Sequence, residues 1–332
     1  MTFIVKHLIS KELKINIVII VASFIQSLIF LPAFGQTYKN EAGATSDNDV
    51  YIAFLKDRYY TNGLLLHYRH ALKQKTDSSN LKKRIIEFEI GQKVFSPYSA
   101  QAPNPAKHDR PFTAYLYMGS TLNWFYANES VLKLTAQIGT IGPNAFGKEV
   151  QESYHNLLGI YKVMGWDYQL KNEAALNFIA EYNKLLCRPN SRKADIIASS
   201  SVLVGNTFSG ANAGLIFRLG RINSLYESIS YNSLISNKAS SKDKPKNELF
   251  LFTKPQINYV AYDATIEGGL FRKDKGPITF GSKPFLYSQQ VGLCFSSGRW
   301  TANYIVTFKG KEVESSADPY RYASLVLLHR FK

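Results

Sequence analysis

The chain has 332 residues, 45% hydrophobic and 20% charged, with 40 Lys and Arg against 25 Asp and Glu for a net charge of +15. It holds 21 Tyr, 21 Phe and only two Cys, at Cys187 and Cys294. Such a chain is too apolar and aromatic for disorder, and too poor in cysteine for a disulfide framework or a zinc ribbon.

The positive charge alone would suit nucleic acid, but the N-terminus argues against it. Lys6, Lys11 and Lys14 precede an apolar run over residues 15–34, and Ala33-Phe34-Gly35 stands before Gln36. A basic segment, an apolar segment and a small-x-small end define a secretory signal peptide, here residues 1–35. Gln26, Ser27 and Pro32 interrupt the run and disfavour a retained membrane anchor. The exported part, one domain over 36–332, keeps a charge of +13, because the leader removes three Lys and one Glu. Its anionic partner therefore lies outside the cytoplasm, and no nucleic-acid partner is expected.

Beyond residue 46 no second long apolar run occurs. Segments of about ten residues recur instead, apolar alternating with polar, ended by Gly, Asn, Asp, Pro or Ser-Lys clusters. Ile86, Phe88 and Ile90 alternate with Glu87, Glu89 and Gly91; Leu134, Ala136 and Ile138 alternate with Lys133, Thr135 and Gln137. With 64–70, 84–92 and 133–139, the candidate strands are 112–126, 168–184, 194–206, 211–220, 248–260, 264–273, 284–295, 298–309 and 321–332. About a dozen antiparallel strands without strand-helix alternation make an all-β chain. It could be a soluble barrel or sandwich, or an outer-membrane barrel. Tyr and Phe near strand ends, such as Tyr59, Tyr60, Tyr115 and Tyr117, and the aromatic Phe331 next to the C-terminus favour an antiparallel transmembrane β-barrel in the bacterial outer membrane. The long polar loops are 94–111 and 221–247, with shorter ones at 187–193 and 274–283. The Lys-rich stretch 236–247 would meet lipopolysaccharide if it lay on the outer face, and would otherwise simply be solvated.

Three segments carry candidate chemistry. Asp47-Asn48-Asp49, with Asp57 to Gly63 following, packs carboxylates, amides and a hydroxyl at the expected start of a strand. Such oxygens suit a hard cation such as calcium; an Asx-turn and a tight Asn62-Gly63 turn would give the same residues. Residues 141–159 open with Gly142-Pro143, end in Gly159 and place Phe146, Val150, Tyr154, Leu157 and Leu158 at helical spacing, so they predict one short amphipathic helix. Lys148, Gln151, Glu152 and His155 would share its polar face. His155 is the side chain able to accept a proton from water near neutral pH, although a lone His is commonly structural. Residues 164–173 follow, with Trp166 expected as an interface anchor and Asp167 and Gln169 as partners for the helix.

These residues together resemble the outer-membrane lipid A 3′-O-deacylase family. Asn48-Asp49, Asp57-Arg58-Tyr59-Tyr60-Thr61-Asn62-Gly63, Asp109-Arg110-Pro111-Phe112-Thr113-Ala114-Tyr115-Leu116-Tyr117, Gly142-Pro143-Asn144-Ala145, Val150-Gln151 with His155, and the run from Gly165 to Glu173 occur in that order. The likeness covers residues 47–182; beyond them only the strand pattern supports it. Phe112-Thr113 and Tyr168 depart from the family pattern, at positions without a chemical role.

The resemblance implies a twelve-stranded outer-membrane barrel with a short helix at the active site. It implies calcium-dependent hydrolysis of the ester holding the acyloxyacyl group at the 3′ position of lipid A. His155 matches the family's general base, and Asn48 and Asp49 its polar pair near the scissile ester. Thr61 matches a hydroxyl at the calcium site, and Lys93 a lysine placed for an oxyanion or substrate phosphate. Glu149 is the helix carboxylate assigned to the metal, with Glu152 an equally placed alternative. The implied partners are lipid A or lipopolysaccharide and outer-membrane lipid, and the barrel is expected to be a monomer. Two other readings stay open: an outer-membrane phospholipase, for which Ser153 is badly placed on a helix beside His155, and a porin-like or structural barrel. No Gly-x-Ser-x-Gly elbow occurs, so an α/β-type serine hydrolase is not supported.

Overall fold

Alternating side chains in the sequence become two faces of one closed wall. The computed structural model describes residues 38–52, 58–73, 80–159, 161–237 and 247–332. The expected signal peptide, residues 1–35, and residues 238–246 of the Lys-rich stretch lie outside those described. Twelve strands run in chain order: β1 (Asn40–Asn48), β2 (Tyr59–Ala71), β3 (Leu81–Ser96), β4 (Thr113–Tyr126), β5 (Ser130–Ile141), β6 (Glu173–Cys187), β7 (Ala194–Gly205), β8 (Phe208–Arg221), β9 (Glu248–Asp263), β10 (Phe285–Ser297), β11 (Trp300–Lys309) and β12 (Tyr320–Phe331). Each pairs antiparallel with its chain neighbour, and β1 pairs with β12 to close the barrel. Closure satisfies the backbone donors and acceptors of every strand, as hydrocarbon requires.

The outer face is apolar. On β3, Phe88 and Ile90 are exposed, while the intervening Glu87 and Glu89 face the lumen. The lumen is filled, not open. Arg69 bridges Glu41 at 3.0 Å and Glu87 at 2.7 Å, His67 Nδ1 lies 3.0 Å from Glu89, and Arg330 reaches Glu41 at 3.3 Å.

Both mouths are packed. At the end where β1 begins and β12 finishes, residues 222–237 turn inward, and Leu225, Tyr231 and Ile235 pack on Ile85, Phe125 and Ile197. Arg218 pairs with Asp195 at 2.6 Å, and Glu248 accepts hydrogen bonds from the Ile229 amide and the Ser228 hydroxyl. At the opposite end a short helix, Ala264–Glu267, and the connection 310–319 bring Ile266, Val313 and Ala317 against Tyr60, Phe95 and Tyr320.

The structure corrects three expectations. Segment 264–273 is no strand: Asp263 caps a single helical turn by accepting from the Thr265 amide at 2.8 Å, and Gly268 at φ +77° ends it. The twelfth strand is β1, which the pattern missed because Asn40–Asn48 holds no large apolar residue; β2 and β12 recruit it by register. Asp47 to Asp49 therefore end a strand instead of opening one, and Asn62-Gly63 lies inside β2, with Asn62 opposite Asn48. β8 ends and β9 begins at the end of the barrel opposite the predicted helix, and the lysines of the 236–247 stretch between them lie outside the described residues.

Candidate active site

The β5–β6 connection carries the predicted helix, α1 (Gly147–Leu158). Pro143 starts the preceding turn, and Gly159, at φ +62°, ends the helix by donating its amide to the carbonyls of His155 and Asn156. The helix packs on the outer face of the wall. Gln92 shares the outward parity of Phe88 and Ile90, and its amide donates to the Ala145 carbonyl at 2.6 Å. Beneath it Val94, Phe112, Ala114 and Trp166 form an apolar cluster. Only glycine fits at position 147, because a Cβ there would lie 2.5 Å from Ala114 Cβ and 2.6 Å from Trp166 Cη2.

Gly147, Gln151 and His155 are spaced by four residues and form the buried face of α1. His155 is 2% exposed. Its Nδ1 lies 2.9 Å from the Tyr161 carbonyl oxygen, which can only accept, so Nδ1 carries the proton and Nε2 is the basic nitrogen of the neutral ring. The Tyr161 ring meets the imidazole edge-on at 4.9 Å. Gln151 accepts from Trp166 Nε1 at 2.8 Å, which fixes its amide and leaves its Nε2 buried without a hydrogen-bond partner. Sequence reasoning placed Gln151 on the polar face without a role. Its signal was the four-residue spacing from His155. Trp166 is no interface anchor either: it is 2% exposed and lies under the helix. Asp167 does pair with the helix, at 3.2 Å from Lys148 Nζ.

About 120° around α1 from this face lies an apolar stripe that is uncovered. Phe146, Val150 and Leu157 are 54%, 38% and 82% exposed and fall on one stripe. Glu149 is also exposed, and Glu152, one turn before His155, is half-buried.

The second group stands at the ends of β1 and β2. Asn48, Asp49 and Thr61 are nearly fully buried. Asn48 Oδ1 accepts from the Val50 amide at 2.8 Å, and the Thr61 hydroxyl donates to the Val94 carbonyl at 3.5 Å. The ladder between β1 and β2 ends at Asn48–Asn62, one residue short of Asp49 and Thr61, and the irregularity between Tyr60 and Asn62 sets Thr61 out of regular register. The neighbouring Asp47 accepts from Tyr60 at 2.6 Å. Asp109 accepts from the Tyr59 hydroxyl at 2.9 Å, and the Arg110 guanidinium stacks 4.2 Å over Phe95, so that motif braces the rim.

Lys93 departs from its expected place. It follows Gln92 on β3 and therefore points to the opposite face, into the lumen, where its ammonium lies 5.8 Å from the centroid of the Tyr117 ring. Both groups thus lie on β1–β4 at one end of the barrel: Asn48, Asp49 and Thr61 at the strand ends, Gln151 and His155 on the helix outside. Lys93 does not join the helix side.

The donors at the strand ends, a carboxylate, a hydroxyl and peptide carbonyls, have the chemistry of a hard-cation site, and Asp49 and Thr61 fit calcium in that sense. Glu149 does not fit, because it lies on the exposed side of the helix. Among the described residues, one trio of His, Asp or Glu ligand atoms gathers within 4.8 Å. It is His67, Glu87 and Glu89 in the lumen, where Arg69 already pairs with Glu87.

The chain matches a family model described as outer membrane protein LpxR over residues 19–331. Among solved structures it is similar to LpxR from Salmonella typhimurium, with a TM-score of 0.70 and 20% identity over 88% of this chain and 100% of that one. It also matches the beta domain of the Bordetella autotransporter BrkA at TM-score 0.47 and 9% identity, over 89% of this chain and 100% of that one. The translocator domain of the autotransporter NalP from Neisseria meningitidis matches at TM-score 0.41 and 10% identity, over 89% of each chain. No curated protein matches. With the barrel closed, the outer face apolar and the family model spanning the barrel, the chain belongs to the LpxR family of outer-membrane proteins.

Proposed function

We propose that this protein is an outer-membrane esterase that removes the 3′-O-linked acyloxyacyl group of lipid A, with His155 as the general base. The observation that carries the reading is the position of His155: buried, its Nδ1 tied to a carbonyl, on a helix packed against the lipid side of the wall. An ester at the boundary of headgroup and acyl chain reaches such a site without leaving the leaflet.

His155 Nε2 takes a proton from a water molecule, whose oxygen forms the new bond to the ester carbonyl carbon. The unused Gln151 amide donor stands on the same helix face and is suited to the developing oxyanion. As the tetrahedral species collapses, the carbon–oxygen bond to the sugar breaks, and His155 returns its proton to the departing 3′ oxygen. The products are the free acyloxyacyl acid, its secondary ester intact, and a 3′ hydroxyl. Asn48 and Asp49 border the ester. Asp49 and Thr61 would hold a calcium ion, which would supply Lewis-acid polarisation of the ester carbonyl. Phe146, Val150 and Leu157 offer the acyl chain an apolar track. Lys93 receives no step, since it faces the lumen.

The two alternatives are less well supported. Ser153 is exposed and lies about 200° around the helix from His155, which disfavours a serine phospholipase. Packed mouths disfavour a pore. Purified protein acting on lipid A tests the metal: EDTA is expected to abolish deacylation and added calcium to restore it. Full activity in EDTA removes calcium from the account.

A further inference from the structure

A groove of about 670 Å³ opens on the outer wall at β6 and β7, at the end of the barrel that carries α1. Leu176, Phe178 and Val204 line its lower part, and all three are lipid-facing and exposed. Phe271, 79% exposed, overhangs it from the β9–β10 connection. Above the apolar part Arg272 lines the groove, and Lys171 and Lys273, next in sequence to the lining residues Asn172 and Arg272, are exposed. The one acid in the lining, Glu173, is satisfied locally. Its Oε1 accepts from the Leu270 amide at 2.9 Å and from Asn206 Nδ2 at 3.2 Å. Asp274, also exposed, accepts from the Gly276 amide within its own turn. Arg272 is oriented by donating to the Asn172 carbonyl.

An apolar slot under a cationic rim, on a surface that faces lipid, has the chemistry of a site for a phosphorylated acyl lipid. The end in question bears three of the four longest connections, 97–112, 142–172 and 264–284, as the outward end of a barrel does. In that leaflet the abundant phosphorylated lipid is lipopolysaccharide, and a rim of three cations matches a lipid bearing more than one phosphate. We infer that this groove binds one lipid A molecule as a resident lipid, apart from the catalytic site: an acyl chain lies along Leu176, Phe178 and Val204, and a phosphate is held by Arg272 with Lys171 and Lys273. The site is on β6–β7, whereas α1 packs over β3 and β4. The inference rests on the outer-membrane location and not on the proposed reaction.

Native mass spectrometry of the full chain in detergent, titrated with lipid A, tests it. Arg272→Glu is expected to weaken one bound lipid A about tenfold, and Val204→Trp, which fills the slot, to remove it. Both variants keep the wild-type rate on detergent-dispersed lipid A. Binding unchanged in both variants overturns the inference. So does displacement of lipid A by an equal concentration of phosphatidylglycerol, which would make the groove a general anionic-lipid slot. Deacylation falling in step with binding overturns it as well, because the groove would then belong to the catalytic cleft. If no form of the protein deacylates but the variants still lose a lipid, the proposed reaction fails and the resident site stands.

Discussion

Burial alone would raise the pKa of the Glu312 carboxyl, but Lys309 and then Arg110 outweigh it and hold the group below its ordinary 4.5. Glu312 pairs with Lys309 and accepts from the Tyr320 hydroxyl at 2.9 Å, and so ties the 310–319 connection into the mouth. A carboxyl depressed in the folded state contributes stability above its unfolded value and loses it as pH falls through the folded value. Heat-induced unfolding followed by gel mobility should therefore show a midpoint that drops as pH falls below about 4.5. Glu312→Gln should lower the neutral-pH midpoint, by about 3 kcal/mol of stability for a broken buried pair, and flatten the acid limb. An unchanged midpoint at pH 7 contradicts the assignment. At this same scale the sequence held more than its residue types. The alternation that placed Phe88 and Ile90 outward also placed Gln92 outward and Lys93 inward, so the lumenal position of Lys93 was legible from parity. Gln151 was hidden for another reason: its use depends on Trp166, fifteen residues later, whose indole folds back beneath the helix.

Among elements, α1 was legible because its signals are local: a Gly-Pro start, a glycine stop and a helical apolar period. Three members of that period, Phe146, Val150 and Leu157, are exposed on the outer side of the wall, as the apolar stripe of a helix beside a bilayer is, while Gly147, Gln151 and His155 are buried. β1 was illegible because Asn40–Asn48 has no apolar period, and its state is decided by the edges of β2 and β12. Segment 264–273 misled through Thr265 and Ile266, whose β-branched character is overridden by the Asp263 cap. The helix depends on close approach at Gly147. Gly147→Val should lift α1 from Trp166 and Ala114 and cost up to about a hundredfold in deacylation through misplacement of His155. The barrel itself should keep its folded gel mobility. Equal loss of fold and activity would mean that α1 is part of the barrel's stability and not a device set upon it.

For the whole molecule, the net charge of +15 and the 42 Tyr and Phe residues have different owners. Alternating strands place many aromatics on the lipid face, such as Phe88, Phe178 and Tyr259. Other aromatics, such as Tyr60, Phe95 and Tyr320, close a mouth. The lysines of the 236–247 stretch lie outside the described residues; among those described at the end that carries α1, Lys171, Arg272 and Lys273 are exposed cations. Fold class and strand number were readable because a barrel repeats one period; the placement of the candidate residues was not, because it depends on where the strand ends and a helix about a hundred residues away fall around the barrel, which no period records. The account stands or falls on the chemistry of lipid A in cells making this protein. Mass spectrometry of that lipid A should show loss of the mass of the 3′ acyloxyacyl group with the wild type and none with His155→Ala. An intact acyl pattern with well-folded wild-type protein, or the same loss with His155→Ala, would contradict it.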